Sequence, residues 1–184
     1  MHNILVIKLR YVGDVLLATP VLRALRERFP QACITMAVNR GTEDILRWNP
    51  DLNDVLIVDR GTLSAQVQFL RGLRRLRFDC VIDLTDGDRS AVLARFSGAP
   101  VRIGFNEEHR WRGLLYTTVV SPQPSALHRI ERDLEALRAL GIEPKTGPLV
   151  LQISGQDEEE ATRSLEQVGA IKANGKPSRP LVLM

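Results

Sequence analysis

Gly13 and Asp14 sit where an apolar run gives way to a helical pattern, in "KLRYVGDVLLATP" at residues 8–20. A carboxylate at such a joint has two uses. As a helix cap it accepts hydrogen bonds from the unpaired N–H groups of the first turn. Beside a substrate hydroxyl it removes a proton as general base. One position can serve both, since the cap fixes the carboxylate in place. Gly13 is either an ordinary turn residue or a gap through which a ligand or the backbone comes close to Asp14. The spacing is not GxGxxG, which argues against a dinucleotide fingerprint.

Two more polar clusters follow later apolar runs. In "DLTDGDRSA", residues 83–91, Asp86 and Asp88 read as turn and cap residues. Arg89 falls in a first helical turn, against the helix dipole, and so points to an anionic ligand or a partner carboxylate. In "GFNEEHRWRGLLY", residues 104–116, His109, Arg110, Trp111 and Arg112 place cationic forks beside an aromatic surface. That suits a phosphorylated sugar; the plainer alternative is a solvated loop anchored by Trp111. In "RGLRRLR", residues 71–77, Leu70, Leu73 and Leu76 are expected inward and Arg71, Arg74, Arg75 and Arg77 outward. This is a solvated helix face or, on the sharper reading, one attracted to an anionic membrane surface. His2, His109 and His128 have no nucleophile motif near them, and neither a Walker loop nor HExxH is present. Cys33 and Cys80 lack CxxC or Cys/His spacing, so we expect two buried thiols and no zinc site.

These residues need elements to hold them. Continuous apolar runs at 3–9, 33–38, 54–59, 78–84 and 101–105 read as strands covered on both faces. Helical patterns begin near Asp14, Thr42, Thr62 and Asp88, with Thr19-Pro20 restarting or bending the first. The alternation predicts an α/β fold, a Rossmann-like parallel sheet with helices on both faces. A further helix over 127–140 aligns Leu127, Ile130, Leu134, Leu137 and Leu140 in one stripe, turns its charges away and stops at Gly141. After "GPLVLQIS" come a polar helical pattern near 156–169, a loose "NGKPSRP" and a strand-like "PLVLM". We expect one domain over 1–152, with 153–184 forming a connector and the first strand of a second domain.

In open parallel sheets, ligands bind beyond the carboxyl ends of the strands, where the three polar clusters fall. The 184 residues are 44% hydrophobic and 26% charged, with a net charge of +3, a soluble composition without a membrane-length apolar run. The start lacks a secretory signal pattern, so a cytoplasmic location is expected. Arginine supplies 21 of the 25 basic residues, a bias that suits anionic partners or reflects genome composition. Without a basic tail or an aromatic-interleaved basic stripe, nucleic acid is not an expected partner.

The stretches "ILVIKLRYVGDVLLATPVLRALRERFP", "NPDLNDVLIVD", "FDCVIDLTDGDRSA" and "GAPVRIGF" resemble, in order, the amino-terminal half of bacterial lipopolysaccharide heptosyltransferases, glycosyltransferase family nine. The opening stretch and "DLTDGDRSA" are most similar to the heptosyltransferase III type. The resemblance implies the amino-terminal domain of a GT-B fold, two Rossmann-like domains facing a cleft. It implies inverting transfer of heptose from ADP-heptose to the lipopolysaccharide inner core, with no cofactor and no metal. The first domain would receive the core acceptor; the second would hold ADP-heptose. By this resemblance Asp14 is the base, Lys8 lies beside it, and Arg60 and Arg110 serve the acceptor's phosphates. Arg10 and Gly13 share the Asp14 loop, and Arg89 joins them as an acceptor contact. A lipid-anchored acceptor implies peripheral contact with the cytoplasmic face of the inner membrane. Two other readings stay open: a non-catalytic α/β module holding a phosphorylated sugar, and a GT-B transferase using another nucleotide sugar.

Overall fold

Residue 60, residues 123–127 and residues 171–184 lie outside the part of the chain described by the computed structural model, which covers 1–59, 61–122 and 128–170. Arg60, Leu127 and the "PLVLM" segment therefore fall outside the described residues. Six parallel strands form one sheet in the order β3-β2-β1-β4-β5-β6. They are β1 (Asn3–Ile7), β2 (Cys33–Asn39), β3 (Asp54–Val58), β4 (Cys80–Asp83), β5 (Val101–Phe105) and β6 (Thr118–Val120). The α-helices are α1 (Val12–Leu17), α2 (Thr19–Arg28), α3 (Leu63–Arg75), α4 (Asp88–Phe96), α5 (Arg129–Glu135) and α6 (Gly155–Gln167).

Strand periodicity explains the unbroken apolar run of β1. Ile4 and Val6 point into one core with Val21, Leu22 and Leu25 of α2 and Leu134 of α5. Leu5 and Ile7 point into the other, with Leu73 of α3 and Ala91 and Ala94 of α4. Both faces of the central strand are thus covered, and neither alternate position is free to be polar. The expected α/β class and helices on both faces are what the structure has.

Several local expectations need correction. β6 was not legible as a strand: it has three residues and lies on the sheet's edge, where little burial demands apolar side chains. The helix expected from Thr42 is a single 3-10 turn, Glu43–Leu46. Cys33 is exposed, because it is the first residue of β2, at the amino edge of the sheet, and burial begins at Ile34. Cys80, on central β4, is buried as expected, and burial pushes its thiol up to about 12. α5 continues as a 3-10 segment, Ala136–Leu140, and stops at left-handed Gly141. Leu134 and Leu137 are buried as expected, but the charges of this helix do not all face away: Arg132 and Asp133 are buried. Leu76, expected inward, is 45% exposed just beyond the end of α3.

The chain divides into two units, Met1–Leu151 and Gln152–Met184. The sheet lies in the first. In the second, α6 is capped reciprocally by Ser154 and Asp157 and buries no residue.

One glycine is required by close approach. A Cβ on Gly104 of β5 would lie 2.4 Å from ring carbons of Tyr116. Gly104→Ala should therefore displace the ring and cost about 1–3 kcal/mol, the usual range for overpacking, read from urea unfolding.

Candidate functional site

At the carboxyl end of β1 the chain leaves the sheet at Lys8, whose N–H still donates to the Ala37 carbonyl (2.9 Å). The Lys8 side chain is buried; its ammonium pairs with Asp133 of α5 and donates to the Leu84 carbonyl (3.1 Å) just past β4. Burial draws Lys8 below the usual lysine range against the pull of Asp133. Burial likewise pushes Asp133 upward against the pull of Lys8 and Arg132. Each charge is tolerable there because the other is present.

Arg132 extends the network across the sheet's carboxyl edge. It reaches Asp133 (3.1 Å), Glu107 (2.6 Å) and Asp86 (3.4 Å), with its guanidinium 4.0 Å above the Phe105 ring. Asp86, at φ 55, is also held by buried Arg112 (2.9 Å), which in turn reaches Asp88 (3.3 Å) and Glu108 (3.2 Å). The loop after β5 is therefore fastened by Arg112. Trp111, offered as its anchor, is 53% exposed and is not what holds it. Asn106 adds to the fastening, accepting from the Arg110 N–H and donating to the Arg110 carbonyl, each at 3.0 Å. His109 is exposed at φ 50.

Asp14 does not cap its helix. Tyr11 occupies the cap position at φ 38 without a side-chain cap bond, and Asp14 lies in the first turn of α1. Its carboxylate, 20% exposed, faces the Arg129 Nε at 3.3 Å. Arg129 is the first residue of α5, the helix that Lys8 fastens through Asp133. Lys8 thus works from beneath the site, not as a surface contact. Gly13 is helical, not a turn residue, and a Cβ on it would meet nothing within 4 Å. Neither backbone conformation nor packing within the chain asks for a glycine there.

Arg10, Arg89 and Arg110 follow the carboxyl ends of β1, β4 and β5. The Arg10 guanidinium lies 3.6 Å from where a Cβ on Gly87 would be. Arg10 and Arg89 line a small cavity of about 170 Å³ with Leu9, Asn39, Thr85 and Gly87. Arg89 donates to the Asp59 carbonyl. Asp88 is not the cap of α4; Gly87 is, and Asp88 follows as the first helical residue. Arg110 is exposed and pairs with Glu108 (3.1 Å) and more loosely with Asp88 (3.9 Å). Among the described residues, no group of three or more His, Cys, Asp or Glu could hold a metal ion. No described helix is long and apolar enough to cross a membrane.

Sequence reasoning passed over Asp83 and Tyr116. Asp83 ends β4 fully buried; Tyr116 Oη donates to it (2.7 Å), as does the Thr85 N–H (2.8 Å). Burial raises both groups above their usual ranges. For the phenol, a folded value above the unfolded one means that stability is full below the unfolded tyrosine pKa and drains away as pH rises past it. Tyr116→Phe should be less stable near neutrality, for want of a donor to Asp83. Above about pH 10 its stability should fall less steeply than wild type, by up to about 1.4 kcal/mol per pH unit, read from urea unfolding across the alkaline range.

Comparison with known proteins adds to this geometry. The profile of "Glycosyltransferase family 9 (heptosyltransferase)" matches residues 66–183. Lipopolysaccharide heptosyltransferase 3 of Escherichia coli (strain K12) is 33% identical over 141 residues, 73% of this chain and 41% of that protein. Lipopolysaccharide heptosyltransferase 2 of the same strain is 31% identical over 117 residues, 61% of this chain and 33% of that protein. Among solved structures, the glycosyl transferase family 9 from Veillonella parvula DSM 2008 superposes with a TM-score of 0.80 at 23% identity, covering 94% of this chain and 51% of that one. Escherichia coli heptosyltransferase WaaC with ADP superposes at 0.67 and 22% identity, covering 80% of this chain and 50% of that one. The structural likeness carries the fold. The chain spans about two fifths of heptosyltransferase 3 and about half of each solved chain.

Proposed function

We propose a function from one premise: the chain belongs to glycosyltransferase family 9, the heptosyltransferases. It is the acceptor-binding half of an inverting GT-B transferase that moves heptose from ADP-heptose to the lipopolysaccharide inner core. The observation that carries the reading is Asp14, a part-exposed carboxylate in the first turn of α1 at the sheet's carboxyl edge, steadied by Arg129 at 3.3 Å. Relatives named for lipopolysaccharide heptose transfer support it, as does WaaC, solved with ADP and with ADP-2-deoxy-2-fluoro heptose.

In this reading Asp14 takes the proton from an acceptor hydroxyl while that oxygen attacks the anomeric carbon of the donor sugar. The bond to ADP breaks on the opposite side, so the configuration inverts. The open space over Gly13 admits the acceptor to Asp14. Arg10, Arg89 and Arg110 face the acceptor's anionic groups, a role that resemblance to the family also gives Arg60, while Lys8 braces the site from below. Residues 153–184 lead into a second domain that holds ADP-heptose and supplies the charges that stabilise the departing ADP. The enzyme works at the cytoplasmic face of the inner membrane, where a lipid-anchored acceptor is presented, and uses no cofactor or metal.

The test is an assay of the complete reading frame with heptosylated core acceptor and either ADP-heptose or UDP-glucose. Heptose transfer with inversion and release of ADP is the expected result. Comparable turnover with UDP-glucose would overturn the donor assignment, and turnover with neither donor would favour a binding module.

A further inference from the structure

The α3–α4 side of the sheet has a charge pattern that the proposed transfer site does not use. Residues 61–78 and 90–102 hold six arginines and no aspartate or glutamate, more positive charge than the net +3 of the whole chain. Arg71, Arg74, Arg75 and Arg77 are all exposed. None of these four forms an ion pair with a carboxylate among the described residues, in contrast to Arg110, Arg112, Arg129 and Arg132 at the candidate site.

Apolar groups are interleaved with this charge. α3 buries only Leu73 fully, and its outer surface shows Leu63 (79% exposed) and Val67, with Leu76 just past its end and half-exposed Phe96 at the end of α4. The two helix ends adjoin, because Arg74 packs against Gly98 in the turn that follows α4. A soluble surface helix ordinarily mixes acids with its bases and keeps its large aliphatic side chains down. A polar face whose only charges are arginines, with leucine, valine and phenylalanine standing out, is instead the pattern of a helix lying in a membrane interface.

We infer that α3, with the adjoining end of α4, is a docking surface for an anionic phospholipid bilayer. The arginines meet lipid phosphates as Leu63, Val67, Leu76 and Phe96 enter the headgroup layer. Charge complementarity selects this occupant over a second copy of the chain: two such faces brought together would oppose arginine to arginine. The inference refines the membrane contact included in the proposed function but is independent of Asp14 and of the donor.

The test is co-sedimentation of the full chain with vesicles of phosphatidylcholine alone or mixed with phosphatidylglycerol. The chain should pellet with the mixed vesicles and not the neutral ones, and release as salt is raised. Arg71→Gln/Arg75→Gln should lower the partition coefficient about thirty-fold, at about 1 kcal/mol per arginine. Arg163→Gln on α6 should leave it unchanged, and circular dichroism should show both variants folded. Leu63→Ser should weaken binding without changing its salt dependence. Equal binding to neutral vesicles, no binding to mixed ones, or an unaffected double variant would each overturn the inference. So would self-association that the double variant abolishes, which would make the face a protein interface. Heptose transfer to a soluble acceptor reads the functional proposal separately, so either can fail alone.

Discussion

Asp14→Asn, made in the complete enzyme, should lower kcat for heptose transfer by about 100- to 10,000-fold, the range a positioned general base contributes. The substitution keeps the size of the side chain and removes its ability to take a proton. Because Tyr11, not Asp14, occupies the cap position of α1, the helix should not lose a cap. Thermal stability should therefore stay near wild type, unlike the usual loss of about 1 kcal/mol when an Asp cap is replaced by alanine. ADP-heptose affinity, measured by calorimetry, should be unchanged if the donor lies in the second domain. Near-normal turnover with intact folding would remove Asp14 from the mechanism. Arg129→Gln offers a finer probe: it removes the charge that faces the carboxylate at 3.3 Å but leaves the base in place, so its loss in kcat should be smaller than that of Asp14→Asn.

What could be read from the chain before its structure follows physical lines. The inner strands were legible because a parallel strand buried on both faces leaves few positions for a polar residue, and "ILVI" and "CVI" say so directly. β6 was illegible for the opposite reason, its edge position. The Gly13-Asp14 joint was legible as a place, since the end of β1 and the start of α1 fix it at the carboxyl edge. The state of the carboxylate was not, because the cap depends on where α1 begins, and it begins at Val12, two residues before Asp14.

The ion network was the largest omission, and one signal for it was present. A lysine directly following "ILVI" at the end of a central strand has little room to reach water, so it must find a carboxylate. Helical periodicity assigned Asp133 to the solvent side of α5, but it neighbours buried Leu134 on the edge of the apolar stripe, and a buried cation opposite decides which way such a residue turns. The same logic applies to Asp83 in "CVID": an acid inside a buried strand demands donors, and Tyr116 and Thr85 supply them. Arg112 and Asp86 could not be paired from sequence, since their contact depends on how two loops pack.

The buried Lys8–Asp133 pair yields the second large effect, and its two halves should not be equal. Asp133→Leu strands the Lys8 ammonium with one carbonyl for company, and should cost about 3–5 kcal/mol in urea unfolding, as when one partner of a buried pair is removed. Lys8→Met should cost less, because Arg132 remains 3.1 Å from Asp133 and still neutralises it. The double variant Lys8→Met/Asp133→Leu replaces both charges by apolar groups of similar volume and should recover most of the loss. A Lys8→Met variant less stable than Asp133→Leu would mean that Arg132 does not compensate. The same series bears on function, since Asp133 ties α5 to the end of β1 and α5 carries Arg129 to Asp14. Asp133→Leu should then depress kcat even at temperatures where the variant is fully folded, and the double variant should regain stability before it regains turnover. That order would separate the holding of the fold from the aiming of the base.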